Sequence, residues 1–406
     1  MNTRNIFWCA WLIWLCCPGV SAKPVHHYVF FGQEREKIKT AARLMIRLIF
    51  HLTCAAVLLQ VSFTSCQAQT VSRCRPSPPM PNNPKPGVIG ISLSRDGKTL
   101  VTAGTDGIIR VWNVATGQMQ RTLTGHTNSI YKAEFSPNEK LIASASRDLT
   151  ARIWDFATGR ELYQLTGFKC SVKSLAFSPD GKMLAVVGND GMLKLWDVET
   201  GRELKSLVHS SSPDVDISVY SVIFSRDGKR IYTGNGDGAI SEWNAAAGKE
   251  TNIWKAHKDT VIALAFSPDY RWLASQNGSN EPTVKLWEVE TRRELRAFGE
   301  KKTAGLLEQA HTVAFSPNGK MIASSVSGFD EKQGQFVYVR TYVWNVATGE
   351  KLFTFAGQKF DVGGLVFTSD NRFLISGSAD TTIKFYDLKT GRETRTLTQP
   401  PSSTTN

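Results

Sequence analysis

Seven copies of one hairpin pattern constrain the fold of this chain more than any other feature. The copy at Leu141–Gly159 reads LIASASRDLTARIWDFATG, with alternating residues on either side of a turn at Arg147-Asp148. Period-two alternation bounded by turn residues predicts a half-buried hairpin. Each copy carries an aromatic residue in its second strand: Trp112, Trp154, Trp196, Trp243, Trp287, Trp344 and Tyr386. Uninterrupted copies repeat every ~42 residues, the length of a four-stranded propeller blade.

A second column of residues precedes each hairpin and marks the end of another short strand. It contains Leu93, Phe135, Phe177, Phe224, Phe266, Phe315 and Phe367, most of them followed by Ser-Pro. Proline fixes φ, and the Asn, Asp or Gly that follows tolerates positive φ, so a turn is predicted there. Each unit therefore contains four strands, and seven units predict 28 strands in an all-β fold.

These motifs resemble the WD40 repeat family over about Gly87 to Gln399. Trp154-Asp155 and Trp196-Asp197 match the dipeptide that names the family, and Gly125-His126 matches its other signature pair. The resemblance implies a seven-bladed β-propeller of four-stranded blades, a ring that leaves only short strand edges. No strand signal precedes Gly87, so we expect the ring to close by packing of the last blade on the first.

The family resemblance also implies a hydrogen-bonded set that locks a blade. The second repeat has the complete set of His126, Ser144, Asp148 and Trp154. Buried polar groups must satisfy one another, so we assign these four residues a structural role. A His, Ser and Asp set also resembles a hydrolase triad, which is the alternative. The fifth repeat keeps His257 and a hydroxyl but lacks the aspartate.

The residues before the propeller predict targeting and a tether. Residues 1–66 contain two hydrophobic segments, and the second ends in Phe63-Thr64-Ser65-Cys66, which resembles the lipobox of bacterial lipoproteins. Lipidation at Cys66, possible with a translation start at Met45, would place the protein in the cell envelope outside the cytoplasm. An uncleaved signal anchor, or a cytoplasmic protein without export, is the alternative. Residues 67–86 form a proline-rich linker, which favours a stiff polyproline stalk, and residues 400–406 form a polar tail.

The sixth repeat departs from the pattern. Twenty residues separate its hydroxyl residue Ser324 from Trp344, whereas ten separate Ser144 from Trp154 in the second repeat. The additional residues are polar and flanked by Gly328 and Gly334. They predict an extended hairpin on the face that carries the locking histidines, and insertions on one face of a repeat array are often at a binding surface.

Composition narrows the function classes without choosing a partner. The formal net charge is +12, and the basic residues are spread through most repeats, which favours solvated blade edges over a dedicated anionic partner, and no specific nucleic acid is expected. Cysteine and histidine spacings give no metal pattern, and the chain contains no GxSxG or HExxH motif. We therefore expect no cofactor, no metal and no enzyme activity.

By family resemblance, the top face of the ring binds other proteins. Its residues lie four positions before each Phe-Ser-Pro phenylalanine and just before each turn aspartate. In this chain they are Tyr131, Lys173, Tyr220, Ile262 and His311, with Thr105, Arg147 and Asn189. Aromatic and arginine side chains dominate protein interfaces, so the sequence predicts a non-catalytic interaction scaffold with membrane tethering. Binding of envelope glycan or another polyanion is the alternative, and a propeller enzyme is a more distant one.

Overall fold

The computed structural model describes residues 86–209, 218–278, 283–300, 303 and 305–401. The regular elements in this part of the chain are all β-strands. The 28 strands form seven four-stranded antiparallel sheets. The prediction of an all-β propeller with seven four-stranded blades is confirmed. The predicted targeting region, Cys66 and nearly all of the linker lie outside the described residues.

Each blade is built from four consecutive strands. Blades one to three contain β1 Val88–Leu93, β2 Thr99–Gly104, β3 Ile109–Asn113, β4 Met119–Leu123, β5 Ile130–Phe135, β6 Leu141–Ser146, β7 Ala151–Asp155, β8 Glu161–Leu165, β9 Val172–Phe177, β10 Met183–Gly188, β11 Met192–Asp197 and β12 Glu203–Val208.

Blades four to seven continue in the same order. They contain β13 Val219–Phe224, β14 Arg230–Asn235, β15 Ala239–Asn244, β16 Lys249–Lys255, β17 Val261–Phe266, β18 Trp272–Asn277, β19 Val284–Glu288, β20 Glu294–Phe298, β21 Leu307–Phe315, β22 Met321–Asp330, β23 Gln335–Asn345, β24 Lys351–Phe355, β25 Val362–Phe367, β26 Phe373–Ser378, β27 Thr382–Asp387 and β28 Arg392–Thr398.

The Ser-Pro-Asp-Gly sequence folds into the turn between the first two strands of a blade. In blade three the Ser178 hydroxyl donates to Asp180 over 2.6 Å and accepts from the Met183 amide over 2.9 Å. Gly181 adopts a φ of +73°, which a residue with a side chain rarely takes. The hydrogen bond from Ser178 lowers the pKa of the Asp180 carboxyl. The same side-chain arrangement recurs at Ser225, Ser267 and Thr368, so the turn chemistry repeats with the blades.

The two central strands of a blade are largely buried on both faces, as in blade two. In β6 every residue after Leu141 is buried, and in β7 every residue before Asp155 is buried. The sequence prediction of half-buried strands is therefore wrong for the central pair. The physical reason is that each blade lies between two neighbours, so that apolar residues of adjacent blades, such as Ile109 of blade one and Trp154 of blade two, share one hydrophobic core.

Blade seven packs directly on blade one and closes the ring, as expected. A Cβ at Gly363 would lie 2.2 Å from the carbonyl oxygen of Ile89, so only glycine allows this approach of β25 to β1. At the outer circumference Arg395 of β28 donates to the carbonyl oxygens of Val114 over 2.6 Å and Ala115 over 3.1 Å. Hydrogen bonds and packing thus replace a shared strand at the closure.

The insertion of the sixth repeat extends the blade as predicted. β22 pairs with β23 as far as Asp330 and Gln335, and β21 pairs along the same extension from Leu307. The extension is a three-stranded sheet that continues beyond the level of the other blades. In the described part of the chain, no helix is long and apolar enough to cross a membrane.

Candidate functional site

The first strand of every blade contains a break in register at its beginning. The irregularities lie at Val88/Gly90, Ile130/Lys132, Val172/Ser174, Val219/Ser221, Val261/Ala263, Ala310/Val313 and Val362/Gly364. An extra residue at such a bulge is left out of the ladder and its side chain is redirected. The extra residues include all five that the sequence places four before a phenylalanine: Tyr131, Lys173, Tyr220, Ile262 and His311.

We call the face that carries these bulges and the loops with His126 and Asp148 the top face. All five bulged side chains belong to partly exposed residues. The rule that found them also identifies Ile89 and Gly363 in blades one and seven, which were not included in the predicted set. The bulges themselves were missed, because register depends on the pairing partner and not on the strand's own sequence.

Tyr131 and Lys173 are two predicted binding residues that contact one another directly. The Lys173 ammonium lies 3.8 Å from the centre of the Tyr131 ring, within cation–π distance. The two residues occupy equivalent bulges of neighbouring blades two and three. The pair therefore presents a positive charge and an aromatic ring side by side on the top face.

The residues before the turn aspartates join neighbouring strands through their backbones. The Arg147 amide donates to Ser129 over 2.9 Å and the Asn189 amide donates to Ser171 over 3.0 Å. The Thr105 hydroxyl accepts from the Gly87 amide over 2.9 Å, and the Thr105 carbonyl accepts from the Ser129 hydroxyl. Thr105 thus joins blades one and two, whereas the side chain of Arg147 is partly exposed.

The remaining predicted residues lie on separate blades. Tyr220 and Ile262 occupy the bulges of blades four and five, and Ile262 lies beneath Gly278. His311 Nε2 lies 3.2 Å from Asp361 Oδ1 of blade seven. Asp361 also accepts a hydrogen bond of 2.6 Å from Ser327. His311 therefore takes part in the contact between blades six and seven and does not lock its own blade.

The predicted locking set of blade two is a continuous chain of hydrogen bonds. The Trp154 indole N–H donates to Ser144 Oγ over 2.9 Å, and Ser144 Oγ lies 2.7 Å from His126 Nε2. His126 Nδ1 lies 2.7 Å from Asp148 Oδ2, which also accepts from the Thr127 amide. Only one proton arrangement satisfies every atom: Ser144 donates to His126 Nε2, and Nδ1–H donates to Asp148.

Burial determines the charge states in this set. Burial lowers the pKa of His126, against the opposing attraction of Asp148. Burial would raise the pKa of Asp148, but the hydrogen bond from His126 and that from Thr150 outweigh it and hold the pKa at about 2. Ser144 is fully buried and its hydroxyl is occupied by Trp154 and His126, so it cannot reach a substrate. This set has the contacts of a structural lock.

Two further blades contain a histidine lock. His257 of blade five lies 2.7 Å from Ser275, which accepts from Trp287. His209 of blade four lies 3.1 Å from Thr233, which accepts from Trp243. The sequence analysis missed His209, because 24 residues separate it from its hydroxyl partner instead of the 18 between His126 and Ser144. The six additional residues hide the repeat spacing.

Blades three and seven replace parts of the lock. Val186 of blade three offers no hydroxyl, and the Trp196 indole N–H is buried without a partner among the described residues. In blade seven the amide of Gln358 takes the place of the histidine and accepts from Ser376 over 3.0 Å. Locking strength therefore differs from blade to blade.

The opposite, bottom face has a cavity of about 550 Å³, lined by residues at the ends of the first strands of blades one to five and in the turns that follow them. Lys132 projects towards it but lies 3.0 Å from Glu134 and donates to the Leu175 carbonyl over 2.7 Å. The charge of Lys132 is thus neutralised by Glu134, which also lines the cavity. The described residues hold no cluster of three or more histidine, cysteine, aspartate or glutamate side chains that could bind a metal ion.

Comparison with known proteins agrees with this architecture. The family described as "WD domain, G-beta repeat" matches six segments that together cover more than half of the chain: 81–113, 117–155, 159–197, 201–244, 248–288 and 349–387. The blade that lacks its own match is the sixth, which contains the extended hairpin.

Similarity to curated proteins extends over about a third of the chain. The chain is 27% identical to Protein HIR1 of Candida albicans over 32% of its length, which spans 14% of that protein. It is 30% identical to Protein tipD of Dictyostelium discoideum over 36% of its length and 21% of that protein. It is 24% identical to the guanine nucleotide-binding protein subunit beta of Oryza sativa subsp. indica, over 38% of the chain and 39% of that protein. The repeats, the strand count and the family match together show that this chain belongs to the WD40 repeat family.

Proposed function

We propose that the protein is a non-catalytic scaffold whose top face binds another protein. The observation that carries the proposal is the ring of bulged, partly exposed residues, in which Lys173 and Tyr131 lie together. Aromatic rings combined with cations are typical of the residues that dominate binding energy at protein interfaces. Relatives that include a guanine nucleotide-binding protein subunit beta support a protein partner.

The chemistry of the top face favours a partner with an acidic or mixed polar surface. Among the predicted binding residues, Arg147, Lys173 and His311 are basic, and Tyr131 and Tyr220 add amphipathic rings that bind with little loss of side-chain entropy. Electrostatic attraction would accelerate encounter with such a partner, since complementary charge raises association rates more than affinity.

A double variant tests the proposal. Tyr131→Ala combined with Arg147→Glu is expected to abolish partner capture from the native host while the circular dichroism spectrum and unfolding midpoint stay unchanged. Arg226→Glu, which reverses an exposed charge on a bottom-face turn, is the matched control and should capture normally. Unchanged capture by the double variant would move the binding site elsewhere.

We further propose that the chain is tethered to a membrane of the cell envelope through lipid on Cys66. Two or more acyl chains are needed for stable anchoring, and bacterial lipoproteins carry two or three by resemblance. Mass spectrometry of the mature N-terminus from the native host tests this. A lipidated peptide that begins at Cys66 is expected, and any peptide from residues 1–44 would refute the start at Met45.

Binding of a polyanion is the second candidate, because the net charge is +12. It predicts binding that falls steeply with salt, whereas a protein interface of mixed character responds weakly. A propeller enzyme finds no support in the locking set, because Ser144 is fully buried.

A further inference from the structure

The extension of blade six leaves part of a strand without a partner on one side. β23 pairs with β22 along its whole length, but it pairs with β24 only from Thr341, opposite Phe355. Two residues later Gly357 adopts a φ of +100°, and the chain turns towards blade seven. Among the described residues, no strand pairs with the outer edge of residues 335–340.

The backbone groups of an unpaired strand edge determine which kind of ligand can bind there. Alternate backbone N–H and C=O groups point outward from such a strand, and an added extended chain satisfies them in register. Natural sheets usually protect edges with charges, proline, bulges or short strands. The outer strand β28 follows this rule with the sequence RETRTLT, and β16 does so with KETNIWK.

The edge of the extension has one bulge and one charge but is otherwise long and apolar. Residues 335–340 read QFVYVR, with β-branched and aromatic residues, no proline and Arg340 as the one charge. The Val337 side chain is 54% exposed, which is high for a valine in a strand. The register break at Gly328/Phe329 makes Val337 the extra residue of a bulge. This composition favours strand pairing.

The two faces of the extension offer different side-chain environments. On the side of blade seven, Phe336 lies 5.3 Å from Phe329 and 5.6 Å from Phe360, which is 47% exposed. On the side of blade five, the Arg340 guanidinium lies 4.5 Å from the Tyr338 ring, beside a cavity of about 80 Å³. An added strand would therefore place alternate side chains against aromatic rings and beside a cation.

We propose that the edge formed by residues 335–340 binds an extended peptide segment of a partner protein by antiparallel strand addition. The segment would continue the line of β24, which ends opposite Thr341. Cross-strand preferences define its chemistry: β-branched residues opposite Phe336 and Tyr338, and an acidic residue opposite Arg340. This site is independent of the ring that contains Tyr131.

A second copy of this chain fits the edge less well. Six residues from each protomer fall far short of the ~20–30 residues that a stable interface uses on each side. Two chains that each carry a net charge of +12 also repel one another. A short peptide that carries negative charge does not meet this repulsion, and the weak complex proposed for it does not need the area of a stable interface.

The experiment uses the full chain and a labelled peptide of sequence Glu-Val-Thr-Val-Ile-Thr, measured by fluorescence anisotropy. We expect saturable binding below about 1 mM, the range of weak specific complexes. N-methylation of one alternate set of peptide amides should weaken binding at least about twentyfold, whereas methylation of the other set should leave it unchanged, because only one set faces the edge. Arg340→Glu should weaken binding about fivefold, and exchange of the peptide glutamate for lysine should restore it.

Several results would overturn the proposal. These are absence of binding at about 1 mM, equal effects of the two N-methylated peptides, or self-association of the free protein in sedimentation at the same concentrations. Val337→Pro is a second variant that should weaken peptide binding without affecting the fold, since proline is tolerated at bulges. Tyr131→Ala with Arg147→Glu should bind the peptide normally, so failure of the top-face proposal is recognised separately.

Discussion

Replacing Ser144 by alanine removes the central atom of the blade-two lock. The hydroxyl accepts from Trp154 over 2.9 Å and lies 2.7 Å from His126 Nε2, and both partners are buried. The variant leaves an indole N–H and an imidazole nitrogen without partners. Each unsatisfied buried group costs about 1–3 kcal/mol, so the free energy of unfolding should fall by about 2–6 kcal/mol.

Blade three indicates which part of this range applies. There Val186 faces a Trp196 whose indole N–H is already unpaired among the described residues, and the blade still forms. The indole alone is thus tolerable, and the histidine nitrogen adds the second cost. We expect a loss near 3 kcal/mol for Ser144→Ala.

Chemical denaturation followed by tryptophan fluorescence measures this loss. Ser144→Thr is the matched control, because Thr102 and Thr233 accept from their tryptophans over 3.0 and 3.1 Å at the equivalent positions. The control should lose less than about 1 kcal/mol. Equal stability of the alanine variant and the native chain, or equal damage from threonine, would refute the structural assignment.

Two further predictions concern acid stability and ring closure. Burial, with a smaller contribution from Lys285, lowers the pKa of His257 to about 4 from an ordinary 6.5. The unfolded chain therefore binds the proton more readily than the folded chain, so the free energy of unfolding should fall by about 3 kcal/mol as pH drops from 6.5 to 4. Denaturant titrations at each pH measure this dependence, and His257→Gln should reduce it. Arg395→Ala removes the hydrogen bonds to Val114 and Ala115 and should speed amide exchange in the closing blades. Arg296→Ala, which breaks the equivalent contact between blades five and six, should leave exchange at the closure unchanged.

The repeat made the architecture predictable and also set the limits of prediction. Strand order could be predicted directly from copies with constant spacing, such as those that contain Trp112 and Trp154. The locking role of His209 was not predicted, because six additional residues lie between it and Thr233. Burial of β6 on both faces was underestimated, since alternation along one strand does not report packing between blades.

Contacts across blades were also beyond the sequence. Tyr131 and Lys173 are 42 residues apart, and their ring contact follows from the equivalence of neighbouring bulges. The contact of Phe336 with Phe360 depends on how far the blade-six hairpin extends, which its length alone does not give. The position of a residue within its repeat was predictable from the sequence. Which residues of neighbouring repeats contact one another became clear only from the structure of the ring.

Site-specific photo-cross-linking tests the central claim, that the top face is the binding surface. A benzophenone amino acid replaces Tyr131 on the top face in one protein and Tyr270, which lines the bottom cavity, in another. After irradiation in the native host, mass spectrometry identifies the adducts. The account predicts a discrete protein adduct from position 131 and none from position 270. Adducts from position 270 alone would contradict it.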